Sequence, residues 1–177
     1  LNPKTEEEYN QFYQTCDNYI YENAFCNAEN SCIQRTVKIY DIFQKYDVKN
    51  VCEIGPGVGT YALCLQEAGI NFDLLCPENV QDLAFQFCKW RIKQHNSDIS
   101  VINKIDKKYD CIMFIDVIEH IFNPFEFIEN VAQHTNSILF THGFKIHRQD
   151  MGGYPQHFDF KINDIKGFRN YKKEKAQ

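Results

Sequence analysis

The stretch "VCEIGPGVGT" (51–60) decides how this chain is read. A short β-rich run closes on Glu53, and glycines follow at alternate positions, Gly55, Gly57 and Gly59. Glycine lets backbone turn sharply and approach a ligand with no Cβ in the way. The dinucleotide frame G-x-G-x-x-G fails here, because position 60 is Thr. A carboxylate two residues before the first glycine suits a cationic ligand better than a phosphate.

Strands and helices alternate outward from this loop. "NVCEI" (50–54) predicts a strand, followed by a helix through "VGTYALCLQEAG" that Gly69 stops by taking the left-handed conformation helix ends favour. "NFDLLC" predicts a second strand, and Pro77 opens a long helix through "ENVQDLAFQFCKWRIKQH". "ISVIN" and "YDCIMFID" predict the third and fourth strands, "PFEFIENVAQH" a helix and "SILFTHGF" a fifth strand. Runs such as "CIMFI" are apolar at successive positions, as strands covered on both faces are. The expected fold is α/β: a doubly wound, Rossmann-like parallel sheet with helices on both faces. In such sheets ligands bind where strands exit and the chain order reverses. Upstream, Ile33, Val37, Tyr40 and Phe43 fall on one stripe of a helix over 31–46, and the Tyr- and Phe-rich residues 6–28 read as an N-terminal helical cap.

The 177 residues allow one domain with a real core. A net charge of −5 argues against a sequence-independent grip on nucleic acid, and the basic end "KGFRNYKKEKAQ" reads as a solvated tail. No apolar run reaches the roughly 18–20 residues of a membrane span, and the polar start "LNPKTEEEYN" shows no signal peptide. The eight cysteines contain no C-x-x-C pair and read as reduced cytoplasmic thiols, not as a zinc site.

"EIGPGVGT" (53–60), "FIDVIEHIFNP" (114–124) and the following "SILF" (137–140) together resemble the class I S-adenosylmethionine (SAM) dependent methyltransferases. The resemblance covers about residues 31–170 and implies a cap over 1–30 and a methyltransferase domain over 31–177. It implies SAM as cofactor, with Glu53 facing the methionine end, Gly55, Gly57 and Gly59 shaping the loop beside it, and Asp116 lining the same pocket. The family's acidic residue after the second strand falls on Cys76, so Glu78 is taken as its substitute; Asn103 and Ile105 stand at the adenine position. The family's sheet closes with an antiparallel pair; "GFRNYKKE" supplies one of these strands and none is left for the other, so the domain reads as lacking its final strand.

SAM brings a reactive methyl group, so the protein's work is to align a nucleophile and, for a hydroxyl or amine, to remove its proton. Glu119 and His120 follow Asp116 by three and four residues and so can project near the pocket mouth; His120 is the better base. Past the fifth strand, Gly152-Gly153 make "HGFKIHRQDMGGYPQHFDF" a mobile flap. His157 resembles a histidine of the ubiquinone-pathway O-methyltransferases and of the small-RNA 2′-O-methyltransferases, which implies a divalent metal held by Asp116, Glu119, His120 and His157. The same D-V-x-E-H pattern also occurs in relatives expected to work without metal.

The expectation is methyl transfer to an oxygen or nitrogen of a small molecule, with Tyr13, Tyr19, Phe144 and Tyr154 shaping the acceptor pocket. Two alternatives stay open: a 2′-O-methyltransferase acting on an RNA 3′ terminus, and a SAM-binding module without catalysis inside a larger synthase.

Overall fold

The computed structural model describes residues 5, 7–8, 11, 15, 19–76, 83–121 and 123–141. Five short strands form one sheet: β1 (Asn50–Ile54), β2 (Asn71–Leu75), β3 (Ser100–Ile102), β4 (Cys111–Phe114) and β5 (Ile138–Phe140). Their order is β3-β2-β1-β4-β5, and every neighbouring pair is parallel. The chain moves from β1 outward to β2 and β3, then returns to the other side of β1 for β4 and β5. The order therefore reverses at the exit of β1, beside the exit of β4.

Helices with described bounds accompany the sheet: α1 (Tyr19–Ala28), α2 (Asn30–Lys45), α3 (Thr60–Gln66), α4 (Leu83–Gln94) and α5 (Pro124–Ala132), with a 3₁₀ turn over Ile118–His120. Period-two alternation along the strands splits the core into two layers. On one face, Val51, Leu74 and Met113 pack with Ile39, Phe43, Leu65 and Cys88 of α2, α3 and α4. On the other, Cys52, Ile54, Ile112 and Phe114 pack with Ile128 and Val131 of α5. All four residues of β4 are buried, as the unbroken apolar run requires, and the edge strand β5 is only half-buried. The doubly wound arrangement with helices on both faces is the one the sequence predicts.

Local signals explain several boundaries. Gly69 takes φ +85, and its N–H donates to the Gln66 carbonyl at 2.8 Å, ending the turn after α3. Asn123 caps α5 by accepting from the Glu126 N–H, with Pro124 at the first helical position. One expectation fails. Ile33 and Val37 on α2 are 59% and 55% exposed, and the face turned inward carries Cys32, Ile39 and Phe43 with Tyr40 beside them. The helix is where the period placed it, but rotated, because a buried cysteine serves as part of the apolar stripe.

The second core layer holds a buried carboxylate. Asp73 in β2 accepts a 2.6 Å hydrogen bond from the Tyr109 hydroxyl and lies 2.6 Å from Lys107 Nζ. Burial, reinforced by this bond, pushes the Tyr109 phenol above its usual range. Tyr109→Phe is expected to lower the unfolding free energy by about 1–3 kcal/mol, because Asp73 loses a partner inside the core. Urea denaturation reads this, and an unchanged midpoint would contradict it.

Candidate functional site

Because all strands are parallel, every strand leaves the sheet along one edge, and the predicted site residues gather there. The glycine loop leaves β1, Cys76 leaves β2, Asn103 leaves β3, Asp116 follows β4 and Thr141 follows β5. The loop starts with the Gly55 N–H donating to the Leu75 carbonyl at 3.1 Å and closes with the Gly59 N–H donating to Pro56 at 2.8 Å. Gly55, Gly57 and Gly59 have φ of +65, +53 and +75, a region where side chains with a Cβ are strained.

The reason for glycine is partly different from the expected one. A Cβ on Gly55 would meet Val117 Cγ2 at 2.8 Å, one on Gly57 would meet Asn23 Oδ1 at 2.8 Å, and one on Gly59 would meet Cys88 Sγ at 2.4 Å. The missing side chains leave room for protein neighbours from the β4 exit, α1 and α4. They let three elements close on the loop, and they join the two sequence motifs directly through Gly55 and Val117.

Glu53 shares the face of Val51, toward α3, and is only 2% exposed. The Ala62 N–H supports its carboxylate, while Oε2 has no hydrogen-bond partner among the described residues. Burial pushes the carboxyl up to about 8 against that one favourable bond. An uncompensated buried carboxylate is costly and calls for a cation or a proton.

Asp116 is exposed and sits at φ +53, a conformation that costs roughly 1–2 kcal/mol for a residue with a Cβ. Its Oδ1 accepts from the Thr141 hydroxyl at 2.6 Å, and that same hydroxyl oxygen accepts the Asp116 N–H at 3.0 Å. Its Oδ2 accepts from Arg35 Nη1 at 2.5 Å, and Arg35 also reaches the Tyr61 hydroxyl at 3.3 Å. Burial lowers the Arg35 pKa, but the bond to Asp116 and the charge beside it outweigh burial and raise it. Both partners are well exposed, so the pair adds about 1 kcal/mol or less to stability. The sequence reading missed Arg35. It lies eighteen residues before the glycine motif on α2, and only the packing of that helix brings it to the β4 exit.

The other predicted residues divide. Glu119 is 2% exposed inside the 3₁₀ turn, so it packs inward instead of standing at the pocket mouth, whereas His120 beside it is half-buried. Asn103 is exposed directly after β3, and Ile105 packs on the second core layer. Tyr19 opens α1. Tyr13, Glu78, Phe144, Gly152, Gly153, Tyr154, His157 and the segment "GFRNYKKE" lie outside the described residues. Among the described residues no three His, Cys, Asp or Glu side chains cluster to hold a metal. The four-residue metal set is therefore not assembled by Asp116, Glu119 and His120, and the Asp116 carboxylate is given to Arg35 and Thr141. Among the described residues no helix is long and apolar enough to cross a membrane.

A sheet of order 3-2-1-4-5 with a glycine loop at its reversal point defines a Rossmann-like α/β fold, a class whose ligands bind at such reversal points. Residues 27–145 match the family described as methyltransferase domain, and the chain belongs to that family. Its fold is that of the class I SAM-dependent methyltransferases. The plantazolicin methyltransferase BpumL, solved in complex with S-adenosylhomocysteine (SAH), superimposes with a TM-score of 0.55 at 13% identity, over 72% of this chain and 53% of that one. A SAM-dependent methyltransferase from Clostridium acetobutylicum ATCC 824 gives 0.54 at 14% identity, over 75% and 56%. A putative caffeoyl-CoA O-methyltransferase from Staphylococcus aureus gives 0.51 at 16% identity, over 71% and 66%. The chain thus spans between about half and two thirds of the length of these structures. No curated protein matches it.

Proposed function

We propose that this protein is a SAM-dependent methyltransferase that transfers a methyl group to an oxygen or nitrogen of a small molecule. The observation that carries the reading is Glu53, a buried carboxylate with an unsatisfied oxygen at the head of the glycine loop. Family membership and the SAH complex of a fold neighbour support the same ligand. The residues fit SAM: Glu53 answers the ammonium of its methionine end, and Arg35 beside the loop answers the carboxylate. Asp116 and Thr141 hold Arg35 in place. Asn103 after β3 and Glu78 after β2 would contact the nucleoside. Bound SAM supplies an activated methyl group on a sulfonium.

The chain's own contribution is to seat that group, exclude water and take a proton from the acceptor. His120, half-buried on the turn that follows the β4 exit, is the general base of this reading, with Glu119 packed beside it and His157 as a further acceptor-side group. Residues 1–30 act as a cap and 31–177 as the methyltransferase domain; α1 already leans on the glycine loop, where Asn23 Oδ1 stands against Gly57. The net charge of −5 favours a small acceptor over an RNA end.

Product detection with SAM across a panel of phenols, amines, thiols and short RNA ends tests the assignment. Methylation of a small hydroxyl or amine supports it; SAM uptake without any product leaves a binding module and refutes the enzyme. On the accepted substrate, His120→Asn is expected to lower kcat about 100-fold with KM for SAM unchanged, the low end for a lost general base. Equal kcat would remove His120 from the mechanism.

A further inference from the structure

The start of α3 lacks the side-chain cap that most helices use. Its N-cap is Gly59, in the left-handed region at φ 75 and ψ 22, which offers the first turn no side chain of its own; the Ala62 N–H of that turn goes to the Glu53 carboxylate. Glycine at that point gives the loop freedom that works against a fixed binding surface. A further restraint comes from Arg91 on α4, more than thirty residues later in the chain. Arg91 Nη1 donates to the Val58 carbonyl at 2.7 Å and to the Thr60 hydroxyl at 2.9 Å, gripping the residues on both sides of Gly59. Cys88, one turn before Arg91 and fully buried, fills the space a Gly59 Cβ would need. One face of α4 thus clamps the back of the loop.

We infer that Arg91 is a positioning residue of the cofactor site: by bridging Val58 and Thr60 it holds the Gly57–Gly59 segment in the form that receives the ligand. The inference rests on the methyltransferase reading above. Arg91 does not touch the reacting atoms; it acts through the loop. A planar guanidinium can span a carbonyl and a hydroxyl at once, which a lysine ammonium on its more flexible stem does less well. Without the bridge, binding would have to order the segment, and ordering one or two residues corresponds to about a tenfold loss of affinity.

The test uses the full chain with SAH as the probe. Arg91→Gln is expected to raise the SAH Kd about tenfold and Arg91→Lys about threefold, with the KM for SAM following Kd and kcat within twofold of wild type. A merely structural arginine would lower the melting temperature without this split. Unchanged SAH affinity in both variants overturns the assignment, and so does a fall in kcat at constant KM. If Arg91→Gln does not fold, the affinity of Arg91→Lys decides alone. Wild-type protein that fails to bind SAH refutes the methyltransferase reading instead, so the two failures are distinguishable.

Discussion

Gly59→Ala is expected to destabilise the protein by about 2–5 kcal/mol and to abolish measurable SAH binding. Two independent effects add. A Cβ at φ +75 costs roughly 1–2 kcal/mol of backbone strain. The same atom would lie 2.4 Å from Cys88 Sγ, and Cys88 is fully buried, so its side chain has nowhere to swing. Overpacking of this kind costs about 1–3 kcal/mol. The two contributions separate in a double-mutant cycle with Cys88→Ala, which removes the collision and leaves the strain. The double variant should recover the packing part, and the residual loss measures the left-handed backbone. Strictly additive single effects would contradict the contact, and wild-type SAH affinity in Gly59→Ala would contradict the role of the loop.

Glu53→Gln is expected to weaken SAH binding by about 2–5 kcal/mol, the cost of removing one partner from a buried charge pair. Its effect on the free protein has the opposite sign. Burial holds the Glu53 carboxyl up at about 8, against 4.5 in the unfolded chain. Between those values the native state binds more protons than the unfolded state. The stability this group contributes is fully present below about pH 4.5 and is lost as pH rises through 8. Glutamine carries no such titration, so the variant gains on wild type with rising pH and is the more stable protein above pH 8. A bound ammonium reverses the balance by favouring the carboxylate. SAM binding below pH 8 should therefore release a proton, which calorimetry in buffers of different ionisation enthalpy detects, and Glu53→Gln should abolish that release. Equal proton release from both proteins would exclude Glu53 as the answering charge.

The sequence carried the sheet well because its signals were local. Cys111–Phe114 are apolar at successive positions, and the structure buries them on both faces, as it does Val51, Cys52 and Ile54 around Glu53. Gly55, Gly57 and Gly59 asked for an unusual backbone, and all three adopt it. What stayed hidden depends on contacts between distant segments. Arg35 and Arg91 look like ordinary helix-surface charges until the strand order brings α2 over the β4 exit and α4 behind the glycine loop. Of the stripe expected on α2, Tyr40 and Phe43 turn inward and Ile33 and Val37 do not; Cys32 and Ile39 complete the buried face, the cysteine acting as a small apolar group. Glu119 and His120 are neighbours in sequence, but the 3₁₀ turn sends the carboxylate inward and leaves the imidazole half-exposed.

If the β1 exit holds SAM, it does so through Glu53 and the glycine loop. Calorimetric titration of the full chain with SAH at pH 8, with wild type and Glu53→Gln side by side, tests it most directly. One molecule of SAH per chain is expected in the wild type, with binding weakened at least tenfold in the variant, a loss of about 1.4 kcal/mol or more. No heat of binding to wild type, or equal affinity in the two proteins, would contradict it.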